Sequence, residues 1–380
     1  MIKKIICCFG AICLLLWSGV PAQAQENVPE PSVSAASAIL IEAETGRVLF
    51  SKNAEEQRAM ASTTKIMTAL LTLEQEDREV AITSDMIAVE GSSMGLRDGD
   101  RLTLHGLAAG MLSVSGNDAA NAAAILIDGS LSAFADRMNR RAQELGLENT
   151  HFVTPSGLDA EGHYTTASDL AALTCAALEN EAFRELTSSR QTSVSFLEPA
   201  ETRTYQNHNK LLTMLDGCIG VKTGYTKQAG RCLVSAAEQN GIRLVAVTLY
   251  APDDWNDHLA MMEYGFSRVE RFGTPETPFS GSLPVTGGMA KEVPVYGEQE
   301  TGAPLLTQEA DRVVRCVELP RFLYAPVQEG DAVGRVTYWL DGNPLASFPL
   351  YAGGDVPCRE AEPGFWDKIA SFFRSESAHV

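Results

Sequence analysis

Three short runs of this chain carry side chains that could do chemistry together. The first, Ser62-Thr63-Thr64-Lys65, sets a hydroxyl and an amine three positions apart. On a helix, positions i and i+3 share a face. A serine hydroxyl is a weak nucleophile until a base takes its proton. Lysine can be that base only as the neutral amine. A helix N-terminus, a second cation and a low-dielectric cleft each disfavour the charged form. The competing reading is a helix cap, because serine before an apolar-periodic run such as Ile66, Met67, Leu70 and Leu71 commonly has that role. The nucleophile reading asks for another lysine in the same site.

The run Gly220-Val221-Lys222-Thr223-Gly224-Tyr225 supplies one, at the end of a predicted strand. Lys222 with the Thr223 hydroxyl could hold a substrate carboxylate. Gly224 would let a substrate backbone lie close. The main-chain N–H groups of Tyr225 and Ser62 could then form an oxyanion hole. A phosphate loop is excluded, since that motif needs glycine directly before the lysine and Val221 stands there. Taken alone, K-T-G is also an ordinary exposed strand end. The third run is Ser115-Gly116-Asn117. Ser115 could pass a proton between a lysine and a leaving amine, and Asn117 could bond a substrate amide. Taken alone, this run too is an ordinary turn.

The elements that must position these residues can be read from the surrounding pattern. Residues 36–54 suggest two strands around Glu44-Thr45-Gly46, followed by the Ser62 helix. Residues 105–129 suggest helix, break and helix, with the break at Ser115-Gly116-Asn117 and an alanine-rich second half. A further helix ends at Gly146, and another begins with a cap at Ser168-Asp169. "CIGVKT" suggests a strand. Two more strands flank Asn240-Gly241, a strong hairpin signal. Strands at both ends of 33–273 with helices between imply an α/β or α+β domain, one mixed sheet with helices packed on it. Beyond a proline- and glycine-rich boundary, 280–358 suggests a small all-β domain. In the last segment, 361–380, Phe365, Trp366, Ile369, Ala370, Phe372 and Phe373 share one helical arc. Such an amphipathic helix could lie in a bilayer surface, or dock on its own protein.

The ends and the composition narrow the function classes. Residues 1–24 combine two lysines, a short apolar run and a small-residue site at Ala22-Gln23-Ala24, the pattern of a cleaved export signal. The run is too short to span a bilayer comfortably. The chain of 380 residues carries a net charge of −19, which makes it a poor partner for nucleic acid. Of eight cysteines, Cys175, Cys218, Cys232, Cys316 and Cys358 lie beyond the signal, an odd number at wide spacing and no disulfide framework. Cys218 and Cys232 could be neighbours on adjoining strands. Glu148-Asn149-Thr150-His151 matches E-x-x-H, but no H-E-x-x-H exists and nothing else among six histidines completes a zinc set. No metal and no cofactor is expected. His151 and His163 are expected to pack or bond near the wall of the site.

S-x-x-K, S-x-N and K-T-G in this chain order form the motif set of penicillin-binding proteins and class A β-lactamases. With "NTHFVTPSGLDAEGHYTTASDLAAL" (149–173), "NKLL" (209–212) and "GVKTGYTKQAGRCLVSAA", the chain resembles the low-molecular-mass penicillin-binding proteins, the serine-type D-alanyl-D-alanine carboxypeptidases. The resemblance covers 33–272 closely. It implies a transpeptidase-like catalytic domain, a second β domain and a membrane-anchoring tail. It also implies Ser62 as nucleophile, Lys65 as base and Ser115 as proton relay, with Asn117, Lys222, Thr223, Gly224 and Tyr225 on the substrate. Some family members carry histidine where Tyr225 stands. The implied substrate is the D-Ala-D-Ala end of a peptidoglycan stem peptide, with β-lactams as covalent inhibitors. The implied place is the outer face of the cytoplasmic membrane, anchored peripherally or secreted. An endopeptidase or β-lactamase of the same fold, or a non-catalytic wall-binding protein, are the alternatives.

Overall fold

The computed structural model describes residues 28–272, 278–298 and 302–359. The export signal and the amphipathic segment expected at 1–24 and 361–380 lie outside these. Among the described residues no helix is long and apolar enough to cross a membrane.

β1 (Ser37–Glu42) and β2 (Val48–Lys52) form the first expected hairpin. A 3-10 turn over Ala61–Thr64 leads into α1 (Lys65–Leu73). β3 (Glu79–Ala81) and β4 (Arg101–Thr103) make a short antiparallel pair. α2 (Leu104–Ser113) and α3 (Asn117–Asp128) flank the expected break. α4 (Leu131–Glu144) ends before Gly146, whose φ of 72° is left-handed. α5 (Ala167–Leu178) starts two residues earlier than the Ser168 cap predicts. Its cap is Thr166, whose hydroxyl accepts from the Asp169 N–H at 3.0 Å, while Ser168 and Asp169 already lie inside the helix. α6 (Glu181–Ser188), the hairpin β5 (Gln191–Phe196) with β6 (Glu201–Gln206), and α7 (Leu211–Met214) follow. Then come β7 (Cys218–Thr226), β8 (Gly230–Gln239), β9 (Ile242–Leu249) and α8 (Asp254–Arg268). Asn240 and Gly241 both take positive φ, as a tight two-residue hairpin requires.

The main sheet has the order β2-β1-β9-β8-β7. Its four pairings are antiparallel, a consequence of the hairpin links between consecutive strands and of β1 lying against β9. Side chains alternate between its faces with period two. Ile39, Ile41, Val245 and Val247 point into a core shared with the helices that precede β7. Ala38, Leu40, Leu244 and Ala246 point the other way, onto Met261 and Met262 of α8. α1 is not amphipathic in the fold. All nine of its residues are buried, packed against α2, α3 and α5. It tolerates this because Thr68 and Thr72 donate to the Pro155 and Thr68 carbonyls, each at 2.7 Å.

β10 (Val269–Arg271) pairs with β13 (Pro304–Leu306) between the two halves; the ion pair Arg47–Glu309 also crosses there, and Arg271, paired with Glu44 on its own side, donates across to the Gly302 carbonyl. β11 (Ser280–Thr286), β12 (Glu292–Gly297), β14 (Val313–Glu318), β15 (Leu323–Tyr324), β16 (Ala332–Leu340) and β17 (Asn343–Ala352) form a sheet ordered β14-β16-β17-β12-β11-β15. A mixed sheet is expected within 33–273, where the described strands of the main sheet pair only antiparallel; the parallel pairing, β15 with β11, lies in this second sheet. This sheet has its own core, centred on Val293, Val295, Val336 and Leu350. The five cysteines are free, and the register sets Cys232 opposite Gly224 rather than Cys218.

Candidate active site

The fold brings the three runs together. Ser62 lies in the 3-10 turn, and Lys65 opens α1 at full burial. No cap bond is made at this helix start. The Ser62 Oγ lies 3.1 Å from the Lys65 Nζ. The same nitrogen lies 2.7 Å from Asn117 Oδ1 and 2.5 Å from the Ser156 carbonyl oxygen. Asn117 Nδ2 donates to the Glu90 carbonyl at 2.7 Å, which fixes the amide so that its oxygen faces Lys65. Both partners can therefore only accept. A neutral amine has two N–H bonds and one lone pair. The two acceptors take the N–H bonds, and the lone pair is left for the Ser62 hydroxyl.

The electrostatics agree with that assignment. Burial, and then the neighbouring Lys222, hold the Lys65 ammonium well below its usual range; Asp118 opposes this. Lys222 is buried too and is pushed down to about 7 by that burial. Its Nζ donates to Ser115 Oγ at 3.1 Å and to the Thr223 carbonyl at 2.8 Å. Two lysines this close resist carrying two charges, and the stronger depression falls on Lys65, so a proton shared by the pair resides on Lys222.

Ser115 is held in the left-handed region, with φ of 60°. Such backbone costs about 1–3 kcal/mol and needs surroundings that impose it. They are the Gly116 N–H on the Gly110 carbonyl, the Asn117 N–H on the Ser92 carbonyl at 2.7 Å, and Asp118. The Asp118 carboxylate collects the N–H groups of Met94, Gly95 and Leu96 at 2.9–3.1 Å and the Ser93 hydroxyl at 2.5 Å. It thereby ties the loop before α2 to the α2–α3 break. Ala61, next to the nucleophile, is also left-handed at φ of 48°.

Two glycines are required by close approach. A Cβ on Gly224 would lie 3.0 Å from the Ser62 nitrogen and 3.2 Å from the Met60 oxygen, so β7 passes directly against the nucleophile's turn. A Cβ on Gly157, whose φ is 82°, would lie 2.0 Å from the Ala61 oxygen. His163 braces the same turn as expected. Its Nδ1 accepts from the Val153 N–H at 2.9 Å, so Nε2 bears the proton and donates to Thr64 Oγ1 at 2.8 Å. Burial and His151 push the imidazole down to about 4, against Asp159. The ring thus stays neutral in this tautomer.

A cleft of about 310 Å³ opens over Ser62, Ser115, Thr223, Gly224 and Tyr225. Lys65, Asn117 and Lys222 lie beneath it, each buried. Its far wall is formed by residues that no motif announces: Ser92, His208, Arg231, Asp254 and Trp255. Arg231 is the one strong cation among the described residues lining it. Its Nε and Nη2 donate to one oxygen of Asp254 at 3.0 and 2.6 Å, and its guanidinium lies 5.6 Å from the Trp255 ring centre. The remaining N–H groups are free of that pair. Arg231 faces this cleft because the register sets it opposite Tyr225. A larger cleft of about 530 Å³, between α6 and the start of β7, contains none of the three runs.

The sequence over residues 23–253 matches the family model described as D-alanyl-D-alanine carboxypeptidase, and 276–357 matches that of the penicillin-binding protein 5 C-terminal domain. D-alanyl-D-alanine carboxypeptidase DacF of Bacillus subtilis is 33% identical over 357 residues, which cover 89% of this chain and 90% of that one. DacC of Escherichia coli, another D-alanyl-D-alanine carboxypeptidase, is 31% identical, covering 96% and 93%. Among solved structures, the carboxypeptidase DacD from Francisella tularensis superposes with a TM-score of 0.63 at 26% identity, covering 90% of this chain and 98% of its own. The Streptomyces K15 DD-transpeptidase superposes with a TM-score of 0.61 at 32% identity, covering 63% and 100%.

Proposed function

Since the chain belongs to the D-alanyl-D-alanine carboxypeptidase family of serine peptidases, we propose that its three runs perform that family's reaction as follows. Ser62 attacks the carbonyl between the last two D-alanines of a stem peptide. As the C–O bond forms, the hydroxyl proton passes to the Lys65 lone pair. The N–H groups of Ser62 and Tyr225 receive the oxyanion. The C–N bond then breaks, and the departing amine takes its proton from Ser115, which Lys222 replenishes. One proton enters the lysine pair at Lys65 while another leaves it at Lys222, so the two amines never both stay charged. Water hydrolyses the acyl-enzyme, and a β-lactam is an acyl donor to the same serine.

In this reading Asn117 has two tasks. Its oxygen holds Lys65, and the second N–H of Nδ2 is left for a substrate carbonyl. Lys222, buried and weakly basic, is better suited to carrying a proton than to holding a carboxylate. The terminal carboxylate goes instead to the Thr223 hydroxyl and Arg231. Residues 33–273 carry the chemistry, 280–358 form the second domain, and 361–380 hold the exported enzyme to the outer face of the membrane.

The observation that carries this reading is the Lys65 amine, whose two acceptors leave only its lone pair for Ser62. Intact-mass measurement after penicillin, on wild type and Ser62→Ala, tests it. Wild type gains the mass of one β-lactam and Ser62→Ala gains none. An adduct on the variant removes Ser62 from the role. Release of one D-alanine from a stem pentapeptide, abolished by the same variant, checks the peptidase step.

A further inference from the structure

At one end of the β domain, the departing chain is tied back onto the sheet. The Arg359 N–H donates to the Gly287 carbonyl at 2.8 Å, and the Met289 N–H to the Pro357 carbonyl at 2.9 Å. The departing chain is thus paired to the turn that joins β11 to β12. β15 lies beside the same end of β11, with Tyr324 opposite Thr286. These pairings gather three exposed apolar side chains: Met289 at 65%, Phe322 at 43% and Tyr324 at 72% exposure. The two aromatic rings stand edge to face, 5.1 Å apart. Lys291, Arg321 and Arg359 are exposed in the adjoining segments, alongside the acids Glu292 and Asp355, and Glu360 and Glu362 follow Arg359 in the chain.

We infer that this end of the β domain is a lipid-contacting surface, in which Met289, Phe322 and Tyr324 enter the headgroup layer of a bilayer and the three basic side chains face its anionic lipids. The position of the bilayer rests on the anchoring role proposed for 361–380. Only five residues separate Arg359 from Phe365, a span of at most about 22 Å when fully extended. A tail lying in the membrane surface therefore brings the Gly287 turn close to that surface. Aromatic side chains with a polar or polarisable edge suit the interface between headgroups and acyl chains. Basic residues there matter more because the chain as a whole carries −19 and an anionic surface repels the rest of it. Three side chains are too few for a stable protein partner, which needs roughly 800 Å² on each side. A bilayer accepts a small wedge.

The test uses the exported chain, residues 25–380, and vesicles of phosphatidylglycerol and phosphatidylcholine in equal parts. Met289→Ser/Phe322→Ser/Tyr324→Ser should lower vesicle partition by roughly tenfold, as expected for apolar area withdrawn from lipid, with penicillin acylation at the wild-type rate. Phe365→Ser/Trp366→Ser/Phe372→Ser/Phe373→Ser separately reports the tail. Retained binding of that tail variant defeats the anchor reading, while the first variant still reports the patch. Wild-type partition of the first variant overturns the inference. So does a loss that appears without vesicles as altered self-association in sedimentation, which would make the patch a contact between copies.

Discussion

Replacing Gly224 by alanine tests whether the contact between β7 and the Ser62 turn sets the rate. The glycine's φ is not positive, so alanine meets no backbone strain there. It meets atoms instead: the added Cβ would lie 3.0 Å from the Ser62 nitrogen, 3.1 Å from Ala61 Cβ and 3.2 Å from the Met60 oxygen. Non-bonded contacts to carbon settle at about 3.5 Å or more. The strand and the turn must therefore part by a few tenths of an ångström, and backbone atoms cannot rotate away. That shift separates the Tyr225 N–H from the Ser62 N–H and moves Lys222 relative to Ser115. A misplacement of about 1 Å can cost a hundredfold in rate. A third to a half of that gives an expected loss of about fivefold to tenfold in acylation, or about 1–1.4 kcal/mol of barrier. Overpacking also lowers stability by about 1–3 kcal/mol. Stopped-flow acylation by a chromogenic β-lactam, with thermal unfolding alongside, measures both. Acylation within twofold of wild type, with stability also unchanged, would refute the idea that this close approach positions the oxyanion site.

Two further outcomes follow from the wall and floor of the cleft. Arg231→Ala should lower kcat/KM about tenfold to hundredfold for a peptide ending in a free carboxylate, the worth of a hydrogen bond to a charged group, and leave the corresponding amide nearly unaffected; equal losses on both peptides would argue against carboxylate binding by Arg231. Lys222 titrates near 7 when folded, against 10.5 for an unperturbed lysine. Between these values the unfolded chain keeps a proton that the folded chain has lost, so folding gains stability as pH rises through that window. Denaturant unfolding of wild type relative to Lys222→Met, measured from pH 7 to 10, should show wild type gaining with pH; a constant difference would mean that Lys222 is not depressed.

Much of the framework was legible because it depends on short-range pattern. Short apolar runs bounded by turn residues marked β1, β8 and β9, and the Asn240-Gly241 turn joined the latter two. The break at Ser115-Gly116-Asn117 appeared where expected. Other features were not local. α1 looked amphipathic because its threonines read as polar, yet buried partners satisfy both hydroxyls. The cap of α5 fell on Thr166, since the residue whose hydroxyl reaches the free N–H groups depends on where the chain enters the helix. α8 and the β5–β6 hairpin gave weaker local signals, and α8 brings Asp254 and Trp255 into the wall of the cleft.

The sequence alone determined which side chains are available for the chemistry, the family they belong to and the order of the elements that carry them. Only the tertiary structure decided how protons are arranged among them. The partners of Lys65 lie 52 and 91 residues away, and Ser115 lies 107 residues from Lys222. Burial by these distant segments strips the lysines of solvent, and the two acceptors aim the remaining lone pair. Spacing along the chain can record a serine and a lysine one helical turn apart. It cannot record the desolvation that makes the lysine a base, because that free energy belongs to everything packed around it.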